Sequence, residues 1–131
     1  MVPEHLMEIV RRARTIAVVG ASPREGRPSL RIYRFLKGRG YRVFPVNPNY
    51  PEVDGDPTYP TLLHIGEDVD VVDIFRRKDQ VLPIVEDAIK KGVRLIWMQE
   101  GVVNPQAARR AQEAGIPVVM DRCIYKELMA L

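Results

Sequence analysis

Hydrophobic residues along the chain follow two patterns that alternate from one end to the other. Short and nearly unbroken apolar runs occur at 16–19, 41–46, 69–75, 93–98 and 116–120. Such runs are typical of strands buried on both faces of a parallel sheet. Between them, apolar residues recur every three or four positions, which predicts amphipathic helices. The alternation predicts a single α/β domain with a Rossmann-like, doubly wound, mainly parallel sheet and helices on both faces.

The helical pattern covers four stretches, 3–14, 28–39, about 79–91 and 104–115. Asp79 and Asn104 are predicted as helix caps, and Pro105 suits the first position of the last helix. Segment 49–60 is rich in Pro, Gly and Asp, which predicts a loop with at most a very short edge strand. Residues 61–66 are predicted to form one or two helical turns.

The first strand ends in a sharp turn, in the stretch Thr15–Arg27 with the sequence TIAVVGASPREGR. Gly20 permits the turn, and Ser22 is predicted to cap the helix that follows. The uncovered backbone N–H groups of a helix start form an anion site, so the stretch predicts a phosphate-binding strand, turn and helix. In doubly wound sheets, ligands bind beyond the carboxyl ends of the strands. We therefore expect five segments to converge on one crevice, namely 20–26, 47–50, 75–78, 99–102 and 121–125.

Composition limits the class of protein further. The chain has 131 residues, a net charge of +3 and one cysteine, Cys123. A single cysteine forms no intrachain disulfide, which fits a reducing compartment, and we expect a cytoplasmic protein. No apolar run approaches the ~20 residues of a membrane helix, so no membrane association is expected.

The dinucleotide fingerprint is incomplete. It requires three closely spaced glycines after the first strand and an acidic residue after the second, whereas this chain has Gly20 and Gly26 and ends the second strand at Asn47. Both features argue against NAD, although Ser22 and Arg24 can still contact phosphate. A small NADP-type oxidoreductase stays an alternative. A nucleic-acid module is disfavoured because no aromatic-basic motif accompanies the arginines.

Four segments at successive strand ends carry a family resemblance: VGAS at 19–22, PVNP at 45–48, IWMQEGV at 96–102 and MDRC at 120–123. With them the chain resembles the stand-alone CoA-binding proteins, over nearly its whole length. It is also similar to the N-terminal CoA-binding domain of the succinyl-CoA synthetase α subunit. The synthetase has a lysine near the position of Tyr50, and one of Arg24, Arg76 and Arg77 is expected to replace its charge.

The resemblance implies a coenzyme A site in which 22–25 hold the pyrophosphate, 47–50 border the adenosine and 99–101 follow the pantetheine arm. The implied cofactor-binding residues are Gly20, Ala21, Ser22, Pro23, Arg24, Glu25, Asn47, Pro48, Tyr50, Phe75, Arg76, Arg77, Gln99, Glu100 and Gly101. No catalytic or metal-binding residue is implied. The expected function is binding of CoA or acyl-CoA by a non-catalytic carrier, sensor or partner module, alone, as a homodimer or with a partner protein. An acyl-CoA-using enzyme with an unrecognised catalytic group stays an alternative.

Four further residues invite a chemical interpretation. Cys123 follows the last strand, where it either meets the CoA thiol or simply packs. Trp97 and Tyr125 either stack on a ligand or belong to the core or an interface. Asp73 lies within an apolar run and has no evident role.

Overall fold

The computed structural model of the protein describes residues 1–130. Its helices are α1 Glu4–Arg12, α2 Pro28–Gly38, α3 Val81–Lys91, α4 Pro105–Glu113 and α5 Ile124–Met129. Its strands are β1 Thr15–Val19, β2 Arg42–Val46, β3 Glu52–Val53, β4 Asp56–Pro57, β5 Val71–Ile74, β6 Leu95–Met98 and β7 Val118–Val119. Two 3₁₀ turns, Leu62–His64 and Lys78–Gln80, complete the chain.

Five strands form a parallel sheet in the order β2-β1-β5-β6-β7. From β1 the chain passes outward to β2 and then returns across the sheet to β5, so the direction of winding reverses between β1 and β5. A reversal of this kind leaves an opening at the carboxyl ends of the two strands. The predicted doubly wound, parallel sheet is confirmed.

Helices cover both faces of this sheet, as predicted. On one face α1, α2 and α5 pack over a core that contains Val18, Tyr33 and Trp97. On the other face α3 and α4 pack over a second core that contains Ile74 and Met98. Because the sheet is buried on both sides, its strands read in the sequence as unbroken apolar runs. None of the helices within residues 1–130 is long and apolar enough to cross a membrane.

The edge of the sheet beside β2 carries the loop predicted over 49–60. This loop contains the short antiparallel hairpin of β3 and β4, and it ends with Tyr59 bridged to Val46. Pro45 is tolerated within β2 because β2 lies at the edge of the sheet. The prediction of a loop with very short strands is confirmed.

Two of the predicted helix caps are wrong and one is confirmed. Ser22 does not cap α2: its hydroxyl accepts a hydrogen bond from the backbone N–H of Arg24 at 3.2 Å, and α2 begins six residues later with Pro28 at its first position. Asp79 lies inside a 3₁₀ turn, and Gln80 precedes α3. At α4 the side chain of Asn104 accepts from the N–H of Ala107 at 3.0 Å, as a cap does.

Candidate ligand-binding site

A crevice of about 720 Å³ opens along the carboxyl ends of the strands. Every one of the five segments expected to converge contributes to its wall, which confirms that prediction. Four strand spacings of about 4.8 Å separate β2 from β7, so the row of strand ends is roughly 19 Å long. The wall is formed by Gly20, Ser22, Arg27, Pro28, Ser29, Arg31, Ile32, Asn47, Asn49, Tyr50, Phe75, Arg76, Gln99, Glu100, Val102, Cys123, Tyr125 and Lys126.

A smaller cavity of about 360 Å³ adjoins this crevice beside α3. The two spaces share three wall residues, Gly20, Asn47 and Arg76. Most of the smaller wall is apolar, with residues of β2, the Leu62–His64 turn and α3 contributing to it. The arrangement joins a mainly apolar space to a longer, more polar one at the reversal point of the sheet.

Gly20 fixes the geometry where the two spaces meet. Its φ is +90°, and a Cβ atom at this position would lie 2.3 Å from the carbonyl oxygen of Phe75. Its N–H donates to the carbonyl of Val46 at 2.9 Å. Only glycine allows the ends of β2, β1 and β5 to approach this closely.

Asn47 ties two of the wall segments together. Its side chain is buried, its Nδ2 donates to the carbonyl of Ala21 at 2.8 Å, and its Oδ1 accepts from the N–H of Asn49 at 2.9 Å. Both the nitrogen and the oxygen of the Asn47 side-chain amide are therefore hydrogen-bonded to other residues of the protein. It stands where an NAD-binding domain has a carboxylate for the ribose hydroxyls.

The crevice wall carries an excess of positive charge. The wall contains four cationic side chains, those of Arg27, Arg31, Arg76 and Lys126, and a single carboxylate, that of Glu100. Lys126 pairs with Glu100 at 3.2 Å. Within residues 1–130 the other three cations form no ion pair. An anionic ligand would supply the missing counter-charge.

Glu25 lies off this wall, in an ion-pair network on the outer side of α2. The guanidinium of Arg34 forms a two-pronged pair with Glu25 at 3.0 and 3.1 Å and also reaches Asp54 at 3.1 Å. Hydrogen bonds to Glu25 and then Asp54 raise the pKa of Arg34. Lys37 links Asp54 to Asp56. The network connects the turn after β1 with the β3–β4 hairpin, so it braces two segments beside the crevice.

Asp73 lies beneath the floor of the crevice. Strand alternation puts it two residues below Phe75 on the same face of β5, between Val18 and Trp97 of the neighbouring strands. It is fully buried, and neither carboxylate oxygen has a hydrogen-bond partner. Burial raises its pKa well above the ordinary value. A neutral carboxyl group fits such surroundings.

Trp97 of β6 and Gln99, just after β6, hold the far end of the crevice. Gln99 accepts from the N–H of Ile124 at 3.1 Å, and the indole N–H of Trp97 donates to the carbonyl of Arg122 at 2.8 Å. Cys123 lies between Arg122 and Ile124, whose backbone groups these two hydrogen bonds hold, and it forms part of the wall. Trp97 itself is fully buried, so of its two interpretations the core role is confirmed. Tyr125 lies on the wall, edge-on to Phe35.

The structure brings most of the predicted site residues to these two spaces. On the larger wall are Gly20, Ser22, Asn47, Tyr50, Phe75, Arg76, Gln99 and Glu100, and Pro48 lines the smaller cavity. Off both walls are Ala21, Pro23, Arg24, Glu25, Arg77 and Gly101. The binding role of every one of them stays a prediction.

Sequence reasoning missed the part of the wall formed by the start of α2 and by Lys126. A signal for α2 was present, because Arg27 and Arg31 lie four residues apart on either side of a proline that suits a helix start. Lys126 had no such signal, because the short helix α5 was not predicted at all.

Fold and crevice together define the class: a doubly wound α/β domain with a cationic ligand crevice where the winding of its sheet reverses. Within that class, the model of the CoA binding domain family matches residues 14–129. The chain therefore belongs to the CoA-binding domain family, and the predicted membership is confirmed.

Relatives of two kinds support this assignment. YneT of Bacillus subtilis, described as an uncharacterized protein, is 35% identical over 119 residues, which cover 91% of this chain and 88% of YneT. The ADP-forming acetate–CoA ligase I of Archaeoglobus fulgidus is 37% identical over 110 residues, which cover 84% of this chain but 15% of the ligase. A solved structure of a hypothetical protein from Pyrococcus horikoshii covers 100% of this chain and 92% of its own, with 40% identity and a TM-score of 0.96.

Proposed function

We propose that the protein binds coenzyme A or an acyl-CoA across the crevice and the adjoining cavity, and that it acts in the cytoplasm as a non-catalytic carrier, sensor or partner module. The observation that carries this proposal is the joined pair of spaces, one mainly apolar and one cationic, at the carboxyl ends of the strands. Membership in the CoA-binding family and the likeness to an acetate–CoA ligase support the choice of ligand.

The chemistry of CoA matches the two spaces part by part. Its adenine is flat and mostly apolar, which suits the smaller cavity with Pro48, Pro83 and Ile84 in its wall. Its pyrophosphate and 3′-phosphate are anionic, which suits the free arginines. Its pantetheine arm would then follow the strand ends past Gln99 toward Cys123.

NAD fits this site less well than CoA does. A carboxylate after β2 normally accepts hydrogen bonds from the ribose hydroxyls of NAD. Here Asn47 occupies that place, and both groups of its amide are engaged within the protein. NADP carries an additional phosphate that an arginine can hold, so NADP is the informative competitor.

Calorimetric titration with CoA, acetyl-CoA and NADP tests the choice of ligand. We expect binding of CoA or acetyl-CoA, with Arg76→Ala weakening affinity roughly ten-fold or more through the loss of a charge-assisted bond. Arg109→Ala is the matched control, because Arg109 is an exposed arginine of α4 that lies outside both spaces. Binding of NADP without binding of CoA would replace this proposal with the oxidoreductase alternative.

Incubation with acetyl-CoA tests the non-catalytic role. Free thiol is followed with a colorimetric reagent, and Cys123→Ser is included so that the protein thiol does not contribute. A carrier or sensor releases no CoA thiol above the rate without protein. Steady release would instead favour an acyl-CoA-using enzyme, and sedimentation with and without CoA would report a homodimer.

A further inference from the structure

We propose that Cys123 takes up CoA as a mixed disulfide, by exchange with CoA disulfide, in which two CoA molecules are joined through their sulfur atoms. The covalent step rests on the proposed function, because the crevice first has to hold the nucleotide part of CoA. The position of Cys123 on the crevice wall, together with a free hydrogen-bond donor beside it, carries the assignment.

Cys123 is a thiol that the crevice shelters. It is the single cysteine of the chain, it lies on the crevice wall, and its residue is 9% exposed. The residues on either side of it are anchored through their backbones. The carbonyl of Arg122 accepts from the indole of Trp97, and the N–H of Ile124 donates to Gln99. A molecule held in the crevice therefore meets a fixed thiol of which solution reagents find little to attack.

Gln99 gives an independent sign that this end of the crevice binds a ligand. The residue is 4% exposed, and its Oε1 accepts from the N–H of Ile124 at 3.1 Å. Its Nε2 group has no hydrogen-bond partner within residues 1–130. Among those residues only Asp73 has unpartnered side-chain atoms that are completely enclosed, so the Nε2 group of Gln99 is open to the crevice. A nearly buried donor gains from a ligand carbonyl, and the amides of the pantetheine arm supply such carbonyls.

The pantetheine arm is long enough to reach the end of the crevice where Cys123 lies. Gly20 follows β1, Gln99 follows β6, and these strands are two places apart in the sheet, or about 10 Å. The arm has as many bonds between pyrophosphate and sulfur as about four amino-acid residues, so it spans at most about 13–14 Å. A CoA whose phosphates lie near Gly20 therefore brings its sulfur to the region of Gln99 and Cys123.

The exchange balances without an outside oxidant. The thiolate of Cys123 attacks one sulfur of CoA disulfide, the S–S bond between the two CoA units breaks, and a new S–S bond joins Cys123 to one of them. The other CoA leaves as its thiolate and takes up a proton, which replaces the proton that the Cys123 thiol gave up. A small thiol reverses the step by the same exchange and releases CoA. The protein would then hold CoA covalently under oxidising conditions and return it under reducing ones.

Burial of Cys123 makes the exchange selective for CoA. Bis(2-hydroxyethyl) disulfide is a neutral alkyl disulfide with the same reactive bond, but it has no nucleotide for the crevice to hold. CoA disulfide is bound through its nucleotide and so presents its sulfur at a high effective concentration. The two reagents therefore distinguish a thiol that acts within a binding site from one that reacts without recognition.

Intact-mass measurement follows the reaction. Reduced protein is freed of reductant, incubated with either disulfide at equal concentration, and quenched with acid at intervals. Because Cys123 is the single cysteine, an adduct that a reductant removes lies on it. We expect one CoA per chain, formed at least about ten-fold faster than the hydroxyethyl adduct. Excess acetyl-CoA, which has no disulfide, should slow the formation of the CoA adduct because it occupies the crevice.

Two arginine variants separate recognition from the general reactivity of the thiol. With subsaturating CoA disulfide, Arg76→Ala should slow labelling about ten-fold, because Arg76 lies on the wall and is expected to hold a phosphate. It should leave labelling by the neutral disulfide unchanged. Arg109→Ala, outside both spaces, should match the wild-type protein with both reagents.

The outcomes distinguish the covalent step from the proposed function. Equal labelling by the two disulfides, or labelling that neither acetyl-CoA nor Arg76→Ala slows, would overturn the assignment of Cys123. If calorimetry shows CoA binding but CoA disulfide gives no adduct, the proposed function stands and the covalent step fails. If calorimetry shows no CoA binding but CoA disulfide still labels Cys123 selectively, the thiol site stands and the carrier of free CoA fails.

Discussion

Replacement of Gly20 by alanine tests whether one close backbone contact sets the geometry of the crevice. The new Cβ atom would lie 2.3 Å from the carbonyl oxygen of Phe75 and 2.9 Å from Cδ of Arg76. A φ of +90° adds a conformational penalty of about 1–2 kcal/mol for a residue with a Cβ atom. Relief of the clash requires a backbone shift, for which about 1–3 kcal/mol is typical. We expect the free energy of unfolding to fall by about 2–5 kcal/mol in total.

Gly115→Ala is the matched control for this substitution. Gly115 has a φ of +84°, yet a Cβ atom there meets nothing within 4 Å. It should therefore show the conformational penalty alone, about 1–2 kcal/mol. Urea unfolding of both variants measures the difference, and CoA titration should show weaker binding for Gly20→Ala alone, because Phe75 and Arg76 form part of the wall. Equal destabilisation by the two substitutions would refute the close contact.

Three further substitutions test the groups around the site. Asn47→Ala leaves the carbonyl of Ala21 and the backbone N–H of Asn49 without their hydrogen-bond partners. The free energy of unfolding should therefore fall by about 2–4 kcal/mol. A fall of less than about 1 kcal/mol in urea titration would contradict this expectation. Asp73 has a raised pKa in the folded protein, so its own contribution to stability should fall as pH rises above 3.8, the ordinary value for the unfolded chain, by about 1.4 kcal/mol per pH unit until the raised pKa is passed. Glu8, Asp56 and Glu67 have lowered pKa values and act in the opposite direction, so the fall is measured as the difference in stability between the wild-type protein and Asp73→Asn. Asp73→Asn should lack this fall, and parallel pH profiles of the two proteins would refute it. Gln99→Ala removes the acceptor of the Ile124 N–H. The protein should lose about 1–3 kcal/mol of stability, and the amide hydrogen of Ile124 should exchange faster. Unchanged exchange at Ile124 would contradict a stabilising role for this hydrogen bond.

The sheet could be predicted from the sequence because its strands are buried on both faces. Apolar side chains are required on both sides of such strands, so the runs are unbroken and their order along the chain gives the alternation with helices. All five of the predicted sheet strands are found; β1 begins one residue earlier than predicted, at Thr15, and the other four are shorter than predicted. The last is the shortest, since only Val118–Val119 pairs with β6 within the run predicted at 116–120.

The apolar period correctly predicts the start of α2 at Pro28, whereas the assignment of Ser22 as its cap is wrong. Ser22-Pro23 and Arg27-Pro28 both put a proline at a first helical position, and Ser22 is the better cap by residue type. Gly26 decides between them, because its φ of +86° is incompatible with a helix that begins at Pro23. A backbone conformation of this kind is available to glycine anywhere, so the sequence does not reveal where it is used.

Some polar side chains around the crevice already have partners within the protein, and others do not. Asn47, Gln99 and Glu25 were all predicted to contact CoA, yet each is engaged within the protein, by the turn after β1, by the backbone of Ile124 and by Arg34. A residue pattern records that a polar side chain is present at a strand end, but it does not record whether the fold already uses that side chain. On the crevice wall, the groups that have no side-chain partner within residues 1–130 include the Ser29 hydroxyl, the Nε2 group of Gln99 and the guanidinium groups of Arg27, Arg31 and Arg76, of which Gln99 and Arg76 were predicted to contact CoA. Since a buried or crowded polar group gains most from a partner that the protein lacks, the ligand contacts are expected among this second set, with the first set holding the wall in place.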